Sequence, residues 1–481
     1  MYDLGGTVSH PISTIGHHAP GHEQSRGRWL ALALLCAAQF MLILDITVMN
    51  VALPQLGRDL GLDSAAASWA ITAYVIPFAG LLLFGGRLAD LFGSRRVVLI
   101  GLVIFTAASL LAGFAADTST LLLARAAQGI GAALLSPAAL ATVTGRFSGA
   151  ERHRALATWG AVGAAGAAVG VLIGGLLTEG PGWRWIFFIN VPIGIVVAVL
   201  LPLVVPAVRV VRGGRRVDLI GALLATLGVG TLIYGITSFS TDLPPAGSLA
   251  LIAAAAVPFV LFVVRERTAK DPLLDLAIVG RRPMQAGIVV MLAASALLVG
   301  SFFLLSFVLQ GHHGWSPLAT GVAFLPVALA TLVGAHLGGN LVAGKGARPV
   351  ATAAFLLTAA GTATAALHLE TIPLLIAGVS VAALGLGGAF VAATTTAMSH
   401  VAPQEMGIAS AIINTFHELG VAVGVASLSV IAAASLNAPQ TTGGFIAAYS
   451  AVAFTAVVIA LVALVFVPVG KPAANAPRFM H

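Results

Sequence analysis

Leu44-Asp45-Ile46-Thr47-Val48-Met49-Asn50-Val51-Ala52-Leu53-Pro54 closes an apolar run that begins near Trp29. Asp45 is the only acidic residue between Glu23 and Asp59, and most of its neighbours are aliphatic. The run exceeds the roughly 7–15-residue core of a signal peptide, so it reads as a retained membrane span. On a helix, Asp45 lies about 14 Å from Pro54 at a rise of ~1.5 Å per residue. A charge that deep in a bilayer costs on the order of 2.5–3.5 kcal/mol by insertion scales. Intramembrane acids of this kind point to an ion, proton or cationic-substrate site.

The rest of the chain agrees with a membrane solvent. Of its 481 residues, 59% are hydrophobic and 9% are charged. A soluble chain carries about 25% charged residues, so there are too few here to cover a water-exposed surface. The net charge of +7 does not indicate nucleic acid, because the basic residues are spread between apolar runs instead of gathered on one aromatic-rich face. The single cysteine, Cys36, excludes a disulfide framework. Ala33-Leu34-Leu35 before it lacks the small residue expected ahead of a lipidated cysteine.

A helical span needs ~20 mainly apolar residues. By that measure fourteen spans fall near 30–53, 67–86, 97–116, 120–144, 155–178, 185–207, 217–239, 247–265, 286–309, 318–343, 349–368, 372–398, 407–433 and 445–469. With both ends cytoplasmic, all of the 24 Lys and Arg fall on the inner side except Arg58 and Arg184 outside and Arg125 within a span. That asymmetry supports an even span count with inner termini in a cell membrane. Gly86-Arg87-Leu88-Ala89-Asp90-Leu91-Phe92-Gly93 is echoed by Gly339-Asn340-Leu341-Val342-Ala343-Gly344-Lys345-Gly346. Gly166-xxx-Gly170 is echoed by Gly420-xxx-Gly424. The expected fold is an all-α polytopic membrane protein of fourteen helices arranged 6+2+6, with pseudo-twofold halves. Its units are a disordered cytoplasmic tail (1–28), a six-helix bundle (29–207), a two-helix insert with its loops (208–280), a second bundle (281–470) and a cytoplasmic tail (471–481).

Four stretches resemble the 14-span drug:proton antiporters of the major facilitator superfamily (EmrB/QacA type). They are Leu44–Pro54, Gly86-Arg87-Leu88-Ala89-Asp90 with Gly93, Arg95 and Arg96, Arg125-Ala126-Ala127-Gln128-Gly129-Ile130-Gly131, and Trp183–Pro192. The resemblance covers about residues 30–470. One departure is Val171, which stands where that family's span-five motif carries a proline. Any kink there must come from the glycine-rich backbone or be absent.

Each candidate has two readings. Asp45 is a proton or cation site, or a structural acid bonded to Thr47, Asn50 or a neighbouring helix. The resemblance implies that Arg125 lies in the interior and couples protonation to movement; otherwise it snorkels to the interface. Arg125 and Glu418 are the first partners expected for Asp45. Glu418 offers a second proton or cation contact, or a hydrated helix start, and His417 beside it reads as packing. His336 titrates in a water-filled cavity, or packs at the glycine face of Gly334 and Gly338. The resemblance implies that Gly86, Asp90, Gly93, Arg95 and Arg96 latch the halves together. Gly166, Gly170 and Gly174, with Gly420 and Gly424, allow close helix packing and a sliding contact.

Other chemistry finds little support. Gly339-xxxx-Gly344-Lys345 has Gly346 where a P-loop needs Ser or Thr. His312-His313 on an outer loop lacks a neighbouring carboxylate in sequence, so no metal is expected. No nucleophile-base set marks an enzyme, and no cofactor is expected. The expected function is proton-coupled export of lipophilic, cationic small molecules by a monomer among membrane lipids. An uptake symporter on the same fold, or a membrane sensor or scaffold, are the alternatives.

Overall fold

The structure is a computed structural model that describes residues 21–62, 64–206, 218–240, 243–402 and 405–469. The tails 1–20 and 470–481, and the expected inner arginines Arg209, Arg212, Arg215 and Arg216, lie outside the described residues. Every element among the described residues is helical. The helix that carries span one starts at Gly21.

Among the described residues, fourteen helices are long and apolar enough to cross a membrane. Spans one to six are Gly27–Leu60, Ala66–Phe92, Ser94–Gly113, Thr118–Arg146, Arg154–Glu179 and Trp185–Val204. Spans seven and eight are Leu219–Thr237 and Pro245–Thr268. Spans nine to fourteen are Arg282–His312, Pro317–Lys345, Ala347–Leu367, Ile372–Met398, Met406–Ile431 and Gly443–Phe466. Span five is unbroken through Val171, because its helix runs over Gly149–Glu179.

The duplication seen in the sequence recurs in the packing. Spans two and four, three and four, and one and five pack together in the first half. Ten and twelve, eleven and twelve, and nine and thirteen repeat those pairs in the second. The turn after span two carries Gly93 at φ +89°, and the turn after span ten carries Gly346 at φ +86°. Both lie where a side chain is strained, which explains why each repeat keeps glycine there.

The halves meet along two lines, span two against thirteen and span five against ten. Span seven lies on spans two and thirteen, and span eight packs on seven. A Cβ on Gly80 would overlap Thr226 of span seven, so the insert sits tightly on the first half. The insert therefore flanks one of the two lines.

The basic loops gather at one end. There Arg28 pairs with Glu151 at 3.2 Å, Arg146 donates to Val204 O at 3.1 Å and Arg348 to Val467 O at 2.6 Å. The halves close at the opposite end. Gln310 Nε2 donates to Val51 O at 2.8 Å, and Leu318 N to Glu179 Oε2 at 2.9 Å. A Cβ on Gly321 would stand 2.6 Å from Val171 O, and one on Gly175 2.7 Å from Pro317 O. Toward the basic end, Gly160, Gly344 and Gly407 have open space where a Cβ would stand.

Candidate functional site

Asp45 is 1% exposed. Its Oδ2 accepts from Arg125 Nη1 at 2.5 Å. Its Oδ1 accepts from Gln128 Nε2 at 3.0 Å and from Asn190 Nδ2 at 3.1 Å. Gln128 also donates to Ser109 Oγ at 2.8 Å and accepts from Arg125 at 3.0 Å. Arg125 Nε donates to Ala70 O at 2.9 Å. Its guanidinium lies 4.5 Å from the Tyr74 ring centroid and 5.9 Å from that of Phe187. Spans one, two, three, four and six thus converge on one buried ion pair inside the first half.

Local sequence explains the convergence. Arg125 and Gln128 are three residues apart and share a helix face. Gly129 beside them lets span two approach, since a Cβ there would overlap Tyr74 O. Asn190 opens the long helix of span six, Asn190–Val204, after the short turn Trp185–Phe188. Thr47 and Asn50 do not hold Asp45. Thr47 donates to Ile43 O and Leu44 O at 3.0 Å each, and Asn50 donates to Ile46 O at 3.0 Å.

A buried pair of this kind contributes little net stability, because desolvation offsets the Coulomb gain, yet removing one partner strands the other charge. A proton on Asp45 removes the charge that holds Arg125, leaving the guanidinium with Ala70 O, Gln128 and the Tyr74 ring.

The other expected residues lie elsewhere. Glu418 is not a hydrogen-bonding partner of Asp45. Its Oε1 lies 3.2 Å from His417 Nδ1, and among the described residues its buried Oε2 has no partner. It sits on span thirteen, which packs against span two. Tyr74 Oη is buried and also unpartnered among the described residues. His336 is exposed, with its Nε2 3.4 Å from Asn340 Nδ2. Gly334 and Gly338, on the other face, pack on Leu384 and Gly388 of span twelve.

In the loop after span two, Gly86 has only ordinary contact with Pro137. Asp90 and Arg96 are exposed and Arg95 is half-buried. Arg87 reaches out of that region, its Nη2 donating to Pro272 O at 2.8 Å in the linker before span nine. The glycine faces pack within each half. Gly166, Gly170 and Gly174 meet Ile43, Thr47 and Val48 of span one, and Gly420 and Gly424 meet Leu292 and Ala296 of span nine. The close approach between halves falls instead on Val171, Gly175 and Gly321.

The sequence reading of His312-His313 needs correcting. It found no carboxylate nearby, but the fold brings Glu370 Oε1 to 3.1 Å from His312 Nε2. Glu370 sits in the turn before span twelve, a connection invisible to spacing along the chain.

Two repeated helical halves, with a buried arginine–carboxylate pair inside the first, define a polytopic membrane protein. The family model of the Major Facilitator Superfamily matches residues 35–425 and 301–480. The chain belongs to that superfamily. It is 39% identical over 419 residues to the puromycin resistance protein pur8 of Streptomyces alboniger, covering 84% of this chain and 82% of that one. It is 38% identical over 423 residues to the cephamycin export protein CmcT of Amycolatopsis lactamdurans, covering 83% and 84%. It is similar in fold to a bacterial homologue of the human lysosomal transporter Spinster, solved inward-facing and unoccupied. That match has TM-score 0.64 and 16% identity, covering 92% of this chain and 96% of the other.

Gln128, Asn190, Ser109 and Tyr74 were not singled out from the sequence. Gln128 and Asn190 stood inside quoted motifs, and a polar residue three places from Arg125 on the same helix face was the available signal. Ser109 and Tyr74 carry no signal of their own in an apolar span.

Proposed function

We propose that the chain is a proton-driven exporter of lipophilic, cationic small molecules, working by alternating access in a cell membrane with both termini cytoplasmic. The carrying observation is the Asp45–Arg125 pair, buried in apolar surroundings and ringed by donors from neighbouring spans. The relatives whose names speak of antibiotic resistance or export favour efflux over uptake.

In this reading Asp45 takes a proton when the outer side opens and gives it up inside. Protonation frees Arg125 from its carboxylate, and spans one and four shift relative to each other. The halves then rock about their two contact lines. In this reading the contacts at the end carrying Gln310, Glu179 and Gly321 form the closed outer side, and substrate enters from the basic, inner side. Glu418, with one buried oxygen unpartnered, serves as the second-half carboxylate that meets the cationic substrate. At about 100 mV, one elementary charge is worth ~2.3 kcal/mol, enough for a gradient of roughly 45-fold.

The test is transport of a fluorescent lipophilic cation into inverted vesicles under an imposed proton gradient. Uptake that follows the gradient, and is lost in Asp45→Asn, is expected. A wild-type protein indifferent to any gradient would sink the antiport reading. Substrate accumulation in growing cells that falls when the gene is deleted would favour the uptake symporter.

A further inference from the structure

We propose that His312, His313 and Glu370 form a binding site for a divalent transition metal of the zinc type, on the face away from the basic loops. One ligand atom from each residue can be chosen so that all lie within 4.8 Å of one another. His312 ends the π-helical turn Val308–His312 that finishes span nine, a distortion often found at functional sites. Glu370 comes from the turn before span twelve.

The hydrogen bonds orient both rings. His312 Nδ1 lies 2.8 Å from Pro439 O. A carbonyl only accepts, so Nδ1 carries the hydrogen. His312 Nε2 lies 3.1 and 3.2 Å from the two oxygens of Glu370. Nε2 thus faces the carboxylate, and a cation between the two, a metal or a proton, satisfies both. His313 follows the same pattern. Its Nε2 lies 3.0 Å from Leu369 O, which leaves Nδ1 as the free lone pair.

Each ring thus donates its second nitrogen's hydrogen to a backbone carbonyl, the orientation that metal-ligating histidines adopt. Two neutral imidazoles and one carboxylate are a zinc donor set with the fourth position open. Imidazole nitrogen selects zinc, copper or nickel over magnesium and calcium. A cavity of about 450 Å³ lined by Gly311, His312, Pro439 and Gln440 lies beside His312. Glu370 is exposed, with 69% side-chain accessibility, so the metal enters from solvent and the carboxylate closes over it. Bound metal would join the end of span nine to the turn before span twelve, with Pro439 between spans thirteen and fourteen held at second hand.

The experiment is calorimetric titration of the full, tag-free chain in detergent with zinc chloride, at a pH of about 7.5 where ordinary histidines are neutral. Saturable uptake of one zinc per chain is expected, with magnesium giving no heat. Affinity should fall at least ~10-fold in His312→Gln and in Glu370→Gln. His368→Gln, an exposed neighbour outside the site, should bind as the wild type does. Glu370→Gln alters an exposed side chain, and size-exclusion chromatography checks that it folds. Absence of saturable binding, or wild-type affinity in either site variant, overturns the proposal. A His312 ring protonated on both nitrogens by NMR, with no zinc uptake, also overturns it and assigns the cation to a proton.

Discussion

At the scale of the residue, Asp45 and Arg125 were legible because a charge is conspicuous in an apolar run. Their environment was not. Arg125 bonds in three directions, to Asp45, Gln128 and Ala70 O, and its plane lies near the Tyr74 ring. A lysine offers a compact point charge without that fork. Arg125→Lys should therefore lose proton-driven transport almost as completely as Asp45→Asn, measured as initial rates in inverted vesicles. Asn190→Leu removes one of two donors to Asp45 Oδ1. A hydrogen bond to a charged group is worth about 1.5–3 kcal/mol, and its loss should appear as a lower thermal unfolding midpoint in detergent. An unchanged midpoint would mean that water or a rotated Gln128 replaces the lost donor.

At the scale of the element, hydropathy located the spans because membrane insertion depends on composition over ~20 residues. Which glycine faces which neighbour depends on helix rotation, and the pattern alone left packing and sliding roles together. Gly170 and Gly424 now belong to packing within a half, where helices associate by close van der Waals contact. A Cβ on Gly424 would overlap the backbone of Ala296, whereas one on Gly407 meets open space. Gly424→Leu should abolish a monodisperse peak in fluorescence-detected size exclusion, and Gly407→Ala should leave it unchanged. Equal profiles for the two variants would show that the second half tolerates a wider gap between spans nine and thirteen.

At the scale of the molecule, two contact lines join the halves, and ion pairs tie helix entries together within each half at the basic end. Arg281 holds Glu405 bidentately, Nη1 to Oε2 at 2.7 Å and Nη2 to Oε1 at 2.8 Å, joining the entry of span nine to that of span thirteen. Those bonds from Arg281, helped by Ala402 N, hold the Glu405 carboxyl below its ordinary value of 4.5. Its contribution is therefore present above pH 4.5 and is lost as pH falls through the lower folded value. The difference in thermal stability between wild type and Glu405→Gln should be constant near neutrality and shrink in acid below that point. A difference that grows in acid would reverse the sign and refute the pairing. Gly321→Leu should pry apart spans five and ten at the closed end, increasing solvent labelling of a cysteine placed at Leu318.

Membrane class, fourteen spans, the duplication and the two charged residues of the first half were determined by the sequence alone. Each is a local or averaged property: the free energy of leaving water, or the cost of a charge in hydrocarbon. The tertiary structure decided the pairing of Asp45 with Gln128 and Asn190, the separation of Glu418 from that cluster, and the arrival of Glu370 beside His312. These follow from the rotation and register of packed helices. A shift of one residue turns a helix by about 100° and exchanges one set of neighbours for another, while leaving its hydropathy unchanged.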